Sequence, residues 1–103
     1  MSYILGFTPT VKNLEESDKV KTWYASLLQI KNEKENISFR FVWGGDLYKA
    51  NLLRTKYNVE GTITIDGEVY ASCIFTEYKN EKGVLLIGNW NEGKDYTCII
   101  ELT

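Results

Sequence analysis

The chain has 103 residues, an apolar fraction of 44 %, three Trp, seven Tyr, four Phe and a formal charge of −2. Such a composition belongs to a single globular domain over residues 1–103, large enough for one hydrophobic core. There is no histidine, which excludes Ser-His and Cys-His nucleophile activation, a histidine general base and a His-containing zinc site.

Two cysteines, Cys73 and Cys98, do not make a four-ligand zinc centre, so no metal and no cofactor is expected. The charge divides as +1 over residues 1–50 and −3 over residues 51–103. Neither half contains a basic run, which disfavours nucleic acid as a partner. Residues 1–7 lack the basic region and the apolar length of a signal peptide. No stretch approaches the roughly 20 apolar residues that span a bilayer. A cytoplasmic location away from membranes is expected, with both cysteines buried as free thiols.

In chain order, residues 3–7 read as a short opening strand. Val20, Trp23, Tyr24, Leu27 and Leu28 then fall at the spacing of one apolar helical stripe. Ser17 would serve as N-cap and Asp18 would complement the helix dipole, with Asn13 and Glu16 as a rival capping box. The polar cluster Lys31 to Asn36 reads as the way out of this helix. Ile37 to Trp43 alternates as a half-buried strand, Gly44-Gly45-Asp46 turns the chain, and Leu47 to Tyr57 is read as a second strand.

The remainder reads as an antiparallel meander. Thr62 to Ile65, Val69 to Tyr78, Val84 to Trp90 and Tyr96 to Leu102 are separated by turn-like stretches. At Asp66-Gly67 two registers compete. A two-residue type I′ loop pairs Ile65 with Glu68 and Ile63 with Tyr70, mixing the faces. A three-residue loop pairs Ile63 with Val69 and gathers Ile63, Val69, Ala71, Cys73 and Phe75 on one face, so the bulged loop is favoured. The later strands carry apolar residues on both faces, which demands cover on both.

Gly88-Asn89-Trp90 resembles the Gly-x-Trp turn of lipocalin-like barrels over three residues. There it belongs to the first strand and here it is near the C-terminus, so no family is assigned. A glycine at a sheet bend beside a core tryptophan is the favoured reading. Gly44-Gly45-Asp46 lacks the Lys-Ser/Thr of a phosphate loop.

The expected fold is therefore α+β: a strongly twisted or partly closed antiparallel sheet of six to seven strands, with one amphipathic helix packed on it. The expected function is non-enzymatic binding of a protein partner, as in an inhibitor or immunity-type protein of a phage or mobile element. Trp43, Tyr48, Tyr57, Tyr70 and Tyr78 are the candidate contact residues, because aromatic rings with polar tips suit binding surfaces. No catalytic residue is assigned.

Two alternatives stand beside this reading. One is a small-ligand barrel with Trp90, Phe75 and Tyr96 around a cavity. The other is a hydrolase using carboxylates alone, from the pairs Glu77 and Glu101, Asp46 and Glu60, or Asp66 and Glu68. Homo-oligomerisation is a further way to cover an apolar face.

Overall fold

The computed structural model describes the backbone of residues 3–9 and, in full, residues 25–102. The described chain is all-β, with nine strands: β1 (Tyr3–Pro9), β2 (Ala25–Ser26), β3 (Leu28–Asn32), β4 (Asn36–Trp43), β5 (Asp46–Arg54), β6 (Val59–Ile65), β7 (Glu68–Asn80), β8 (Gly83–Asn91) and β9 (Asp95–Leu102). Strands β3 to β9 form one uninterrupted seven-strand meander, and β1 adds antiparallel to β9.

The sheet runs in the order β2-β1-β9-β8-β7-β6-β5-β4-β3. Its two outermost strands, β2 and β3, are separated in the chain only by Leu27. The sheet is therefore curled until its ends meet at one residue, and Leu27 is buried at that seam.

This corrects the α+β expectation. Among the described residues there is no helix. Val20, Trp23 and Tyr24 lie outside the described residues. The end of the expected helix, Ala25 to Leu28, is extended chain in which Ala25 and Leu27 are buried and Leu28 is exposed. Lys31 and Asn32, read as part of a connection, pair with Ser38 and Ile37 instead.

Curling solves the problem of covering strands that are apolar on both faces. The inward row of each strand meets the inward rows of the others, and the outer residues Leu85, Ile87 and Ile99 remain half-buried. The interior is filled by Ile37, Phe39 and Phe41 of β4, Ala50 and Leu52 of β5, Val59 and Ile63 of β6, Phe75 of β7, Leu86 and Trp90 of β8, and Ile100 of β9. Cys73 and Cys98 are buried in the same core as free thiols. Burial pushes Cys73 up to about 12 and Cys98 well above its ordinary value.

Two inward positions are kept empty for the bend. A Cβ on Gly61 would lie 2.0 Å from the Asn51 carbonyl oxygen, and one on Gly88 would lie 2.0 Å from that of Ile74. Only glycine allows β6 to approach the β5 backbone, and β8 the β7 backbone, so closely. Gly88 is thus a sheet bend, and Trp90 two residues on is core, as the sequence indicated.

Candidate functional site

Alternate hairpins of a meander share an end. The β4–β5, β6–β7 and β8–β9 turns lie at one end of the curl, and the β3–β4, β5–β6 and β7–β8 turns at the other. At the first end, residues 43–46, 65–68 and 91–95 carry five carboxylates (Asp46, Asp66, Glu68, Glu92 and Asp95) against Lys94 alone, a net of −4. At the second, residues 33–35, 54–58 and 79–82 carry five cations (Lys34, Arg54, Lys56, Lys79 and Lys82) against Glu33, Glu35 and Glu81, a net of +2.

The acidic end is built on aromatic rings. Phe41 and Tyr48 are register partners across β4 and β5, and their rings stack with centroids 4.9 Å apart and planes 3° apart. Trp90 tilts against Phe41 at 6.2 Å. Tyr70 meets Tyr48 edge-on at 5.3 Å, and its hydroxyl donates to Glu92 Oε2 across the neighbouring hairpin. These rings, Trp43 and Glu92 enclose a recess of about 60 Å³.

How Tyr70 reaches that place corrects the expected register. Ile65 pairs with Glu68, so the turn is the two-residue loop, with Asp66 and Gly67 both at positive φ (50° and 82°) as a type I′ turn requires. The register then shifts: Thr64 pairs with Val69 and Ile63 with Ala71, leaving Tyr70 as the extra residue of a β-bulge. The bulge returns Ile63, Ala71, Cys73 and Phe75 to the inner face and leaves Val69 exposed. It also re-aims Tyr70 over the end of the curl.

The five sequence candidates separate accordingly. Trp43 (44 % exposed) and Tyr70 (41 %) stand together at the rim of the recess. Tyr48 is 6 % exposed and belongs to the core cluster at the wall of the recess, so the expected exposed contact position is corrected for this residue. Tyr57, 79 % exposed, and Tyr78, also exposed, belong to the opposite end. There Lys56 Nζ lies 5.4 Å from the centroid of the Tyr57 ring.

Glu92 and Phe41 were not among the candidates. The turn Asn91 to Asp95 shares an end with the turn Asp66-Gly67 in any meander, and that topology is the signal by which Glu92 could be found.

Electrostatics at this end follow from the carboxylates. The hydrogen bond to Glu92, followed by burial, raises the Tyr70 phenol above its ordinary value. Burial and then the charges of Asp46 and Glu92 raise that of Tyr48. Both phenols are protonated at neutral pH, and Tyr70 acts as donor.

The opposite end is closed by one arginine. Arg54 Nε donates to Glu77 Oε1 at 3.0 Å, and its Nη2 donates to Glu77 Oε2 and to Asn32 Oδ1, each at 2.7 Å. Its Nη1 donates to the Glu33 carbonyl. The pair is only 15 % exposed on each side chain. The Arg54 guanidinium holds the Glu77 carboxyl below the usual carboxylate range despite the opposing effect of burial.

The outer face carries a larger, open groove of about 730 Å³ across β4 to β7. Its walls include a cross-strand row of small polar residues, Ser38, Asn51, Thr62 and Ser72.

The two alternative readings meet different geometry. Trp90 and Phe75 are 1 % exposed and pack as core, and Tyr96 packs against that core. Glu77 pairs with Leu86 on the inner face, whereas Glu101 pairs with Leu85 on the outer. Asp46 and Glu60 sit seven residues apart along β5, Glu60 opposite Leu53, which is about 23 Å at 3.3 Å per residue. Asp66 lies within the two-residue turn and Glu68 directly follows it. Among the described residues no group of three or more His, Cys, Asp or Glu is placed to hold a metal ion. No helix among them is long and apolar enough to cross a membrane.

The arrangement defines an all-β, antiparallel, curled-sheet protein with one acidic aromatic end. Compared with known proteins, the chain matches no family model, no curated protein and no solved structure.

Proposed function

We propose that this chain is a small binding protein that acts through a protein partner, with the acidic aromatic end as its contact surface. The observation that carries the reading is the pairing of Trp43 and Tyr70, two large rings left exposed side by side above a rigid aromatic stack. Trp and Tyr are the residues most enriched among interface hot spots, because they supply large area with few rotatable bonds. The stack beneath them fixes Tyr70 in advance, which lowers the entropy lost on docking.

An inhibitor or immunity-type protein of a phage or mobile element is the form of this proposal. A cytoplasmic site of action belongs to it as well, because both cysteines are free thiols and reduced thiols fit a reducing compartment.

The test is affinity capture from the source cells, identification of the partner, and reconstitution with the purified partner. Trp43→Ala and Tyr70→Ala should each weaken the reconstituted complex by about 1–2 kcal/mol or more, while the far-end variant Tyr57→Ala leaves it unchanged. Equal affinities for all three variants would remove the surface assignment.

A further inference from the structure

The recess between the exposed rings has a more definite chemistry than a flat contact patch. It is lined by Phe41, Trp43, Tyr48, Tyr70, Trp90 and Glu92, five aromatic rings and one carboxylate. Aromatic faces carry negative quadrupole potential and attract a cation placed over them, more strongly where water is excluded. A carboxylate beside the rings adds charge of the same sign. A volume of about 60 Å³ is room for roughly two waters at about 30 Å³ each, the size of a small ammonium head. It is far below the few hundred Å³ of a drug-sized ligand site.

From this geometry we infer that the recess is an aromatic cage for an alkylammonium group, and that its occupant is a lysine side chain of the protein partner. The inference rests on the docking surface proposed above and adds what that surface recognises.

Three features of the site support a cation as the guest. The end carries a net charge of −4 over its three hairpins, so a cation is drawn toward it from a distance within the screening length. Tyr70 is bound through its hydroxyl to Glu92, so ring and carboxylate line the recess as one linked wall. Tyr48 is held edge-on to Tyr70 and stacked on Phe41, so the cage exists before any guest arrives. A lysine suits it better than an arginine. The ammonium is a compact head on a flexible alkyl stem that fits a recess of about 60 Å³, whereas the planar guanidinium needs an open face to stack on.

The experiment uses the whole chain, isotopically labelled, with the Trp43 and Tyr70 resonances assigned. Four capped tripeptides Gly-Xaa-Gly are titrated, with Xaa lysine, Nζ-dimethyl-lysine, norleucine or arginine, and methylammonium chloride serves as the free cation. Both lysine peptides should shift Trp43 and Tyr70 saturably. The norleucine peptide, which keeps the stem and removes the charge, should bind at least about tenfold more weakly, the ratio that one desolvated cation–π contact supplies. Glu92→Gln should weaken the lysine peptide several-fold without moving the far-end Tyr57 signals, its fold checked by an unchanged spectrum elsewhere.

Methylammonium alone binding as tightly as the peptides would overturn the lysine source. Norleucine binding equally, arginine binding more tightly, or no saturable shift up to about 20 mM (already weaker than the millimolar range) would overturn the cage. If the cage fails while Trp43→Ala still weakens the reconstituted partner complex, the docking surface survives without it. If Trp43→Ala is silent there too, the docking reading has failed as well.

Discussion

Among the described residues each end of the curled sheet carries three hairpins, and the two sets dispose of their polar groups in opposite ways. At one end Arg54 spends its donors on Glu77, Asn32 and the Glu33 carbonyl, so the charges close on one another. At the other end the three described hairpins carry five carboxylates and one lysine, and two aromatic rings stay exposed among them. A satisfied network rigidifies a structure and offers little to a partner. An acidic rim with preset aromatic rings gives up some solvation to remain ready for a cation. The difference separates an end that holds the fold from an end available for recognition.

The largest effect should come from beneath the acidic end, where the cage floor is also core. Phe41 is almost inaccessible and touches both Tyr48 and Trp90. Phe41→Ala should cost about 3–5 kcal/mol, the range for deleting a buried aromatic, measured by urea denaturation. A loss under 1 kcal/mol would mean that the stack is not part of the core and that the two ends differ less than described.

A smaller effect is expected from the latched end, and it should depend on pH. Arg54→Ala leaves Glu77 half-buried without its partner, at a cost of about 1–3 kcal/mol at neutral pH. The sign follows from the direction of the shift. Glu77 is depressed in the folded state, so its stabilisation is present above the unfolded carboxylate value of about 4.3 and is lost as pH falls through the folded value. Wild type should therefore lose stability toward acid more steeply than Arg54→Ala, and the two should converge at low pH. Parallel curves down to the acid limb would show that the ion pair is not what closes this end.

Much of this architecture was legible where alternation was clean. Ile37, Phe39 and Phe41, or Leu86 and Trp90, state their inward face directly because a strand has a period of two. The helix over Val20 to Leu28 was misread at its described end. Ala25, Ser26, Leu27 and Leu28 do alternate between buried and exposed, but the longer run also matches a helical stripe. What decides the matter is pairing with β1 and β4, non-local partners that no local window contains.

The irregularity of β3 hides the strand further: Gln29 has a φ of 49° and the register shifts between Leu28 and Lys31. The Asp66-Gly67 loop departs from its expected register for a related reason. Without a bulge the type I′ turn faces Ile63 with Tyr70, and a bulge one residue long removes that conflict. The candidate site was half legible: Trp43 and Tyr70 came from residue type and position. Glu92 follows from the meander only when alternate hairpins are placed at a shared end, a step that residue type and position alone do not supply.

The smallest effect is the one that most sharply separates the ends, because it should be nearly invisible in stability. Tyr70→Phe removes only the hydroxyl that donates to Glu92, at an exposed position. An exposed hydrogen bond exchanges with water at little net cost, so unfolding free energy should stay within about 0.5 kcal/mol of wild type. The contrast with Arg54→Ala is physical: there the orphaned group is half-buried, whereas here water replaces the lost partner. The ring itself remains, still edge-on to Tyr48, and what changes is the hold on the carboxylate. If Tyr70→Phe instead destabilises by as much as Arg54→Ala, the Tyr70–Glu92 contact is a structural latch like the one at the far end. The acidic end would then hold the fold rather than stand ready for a partner.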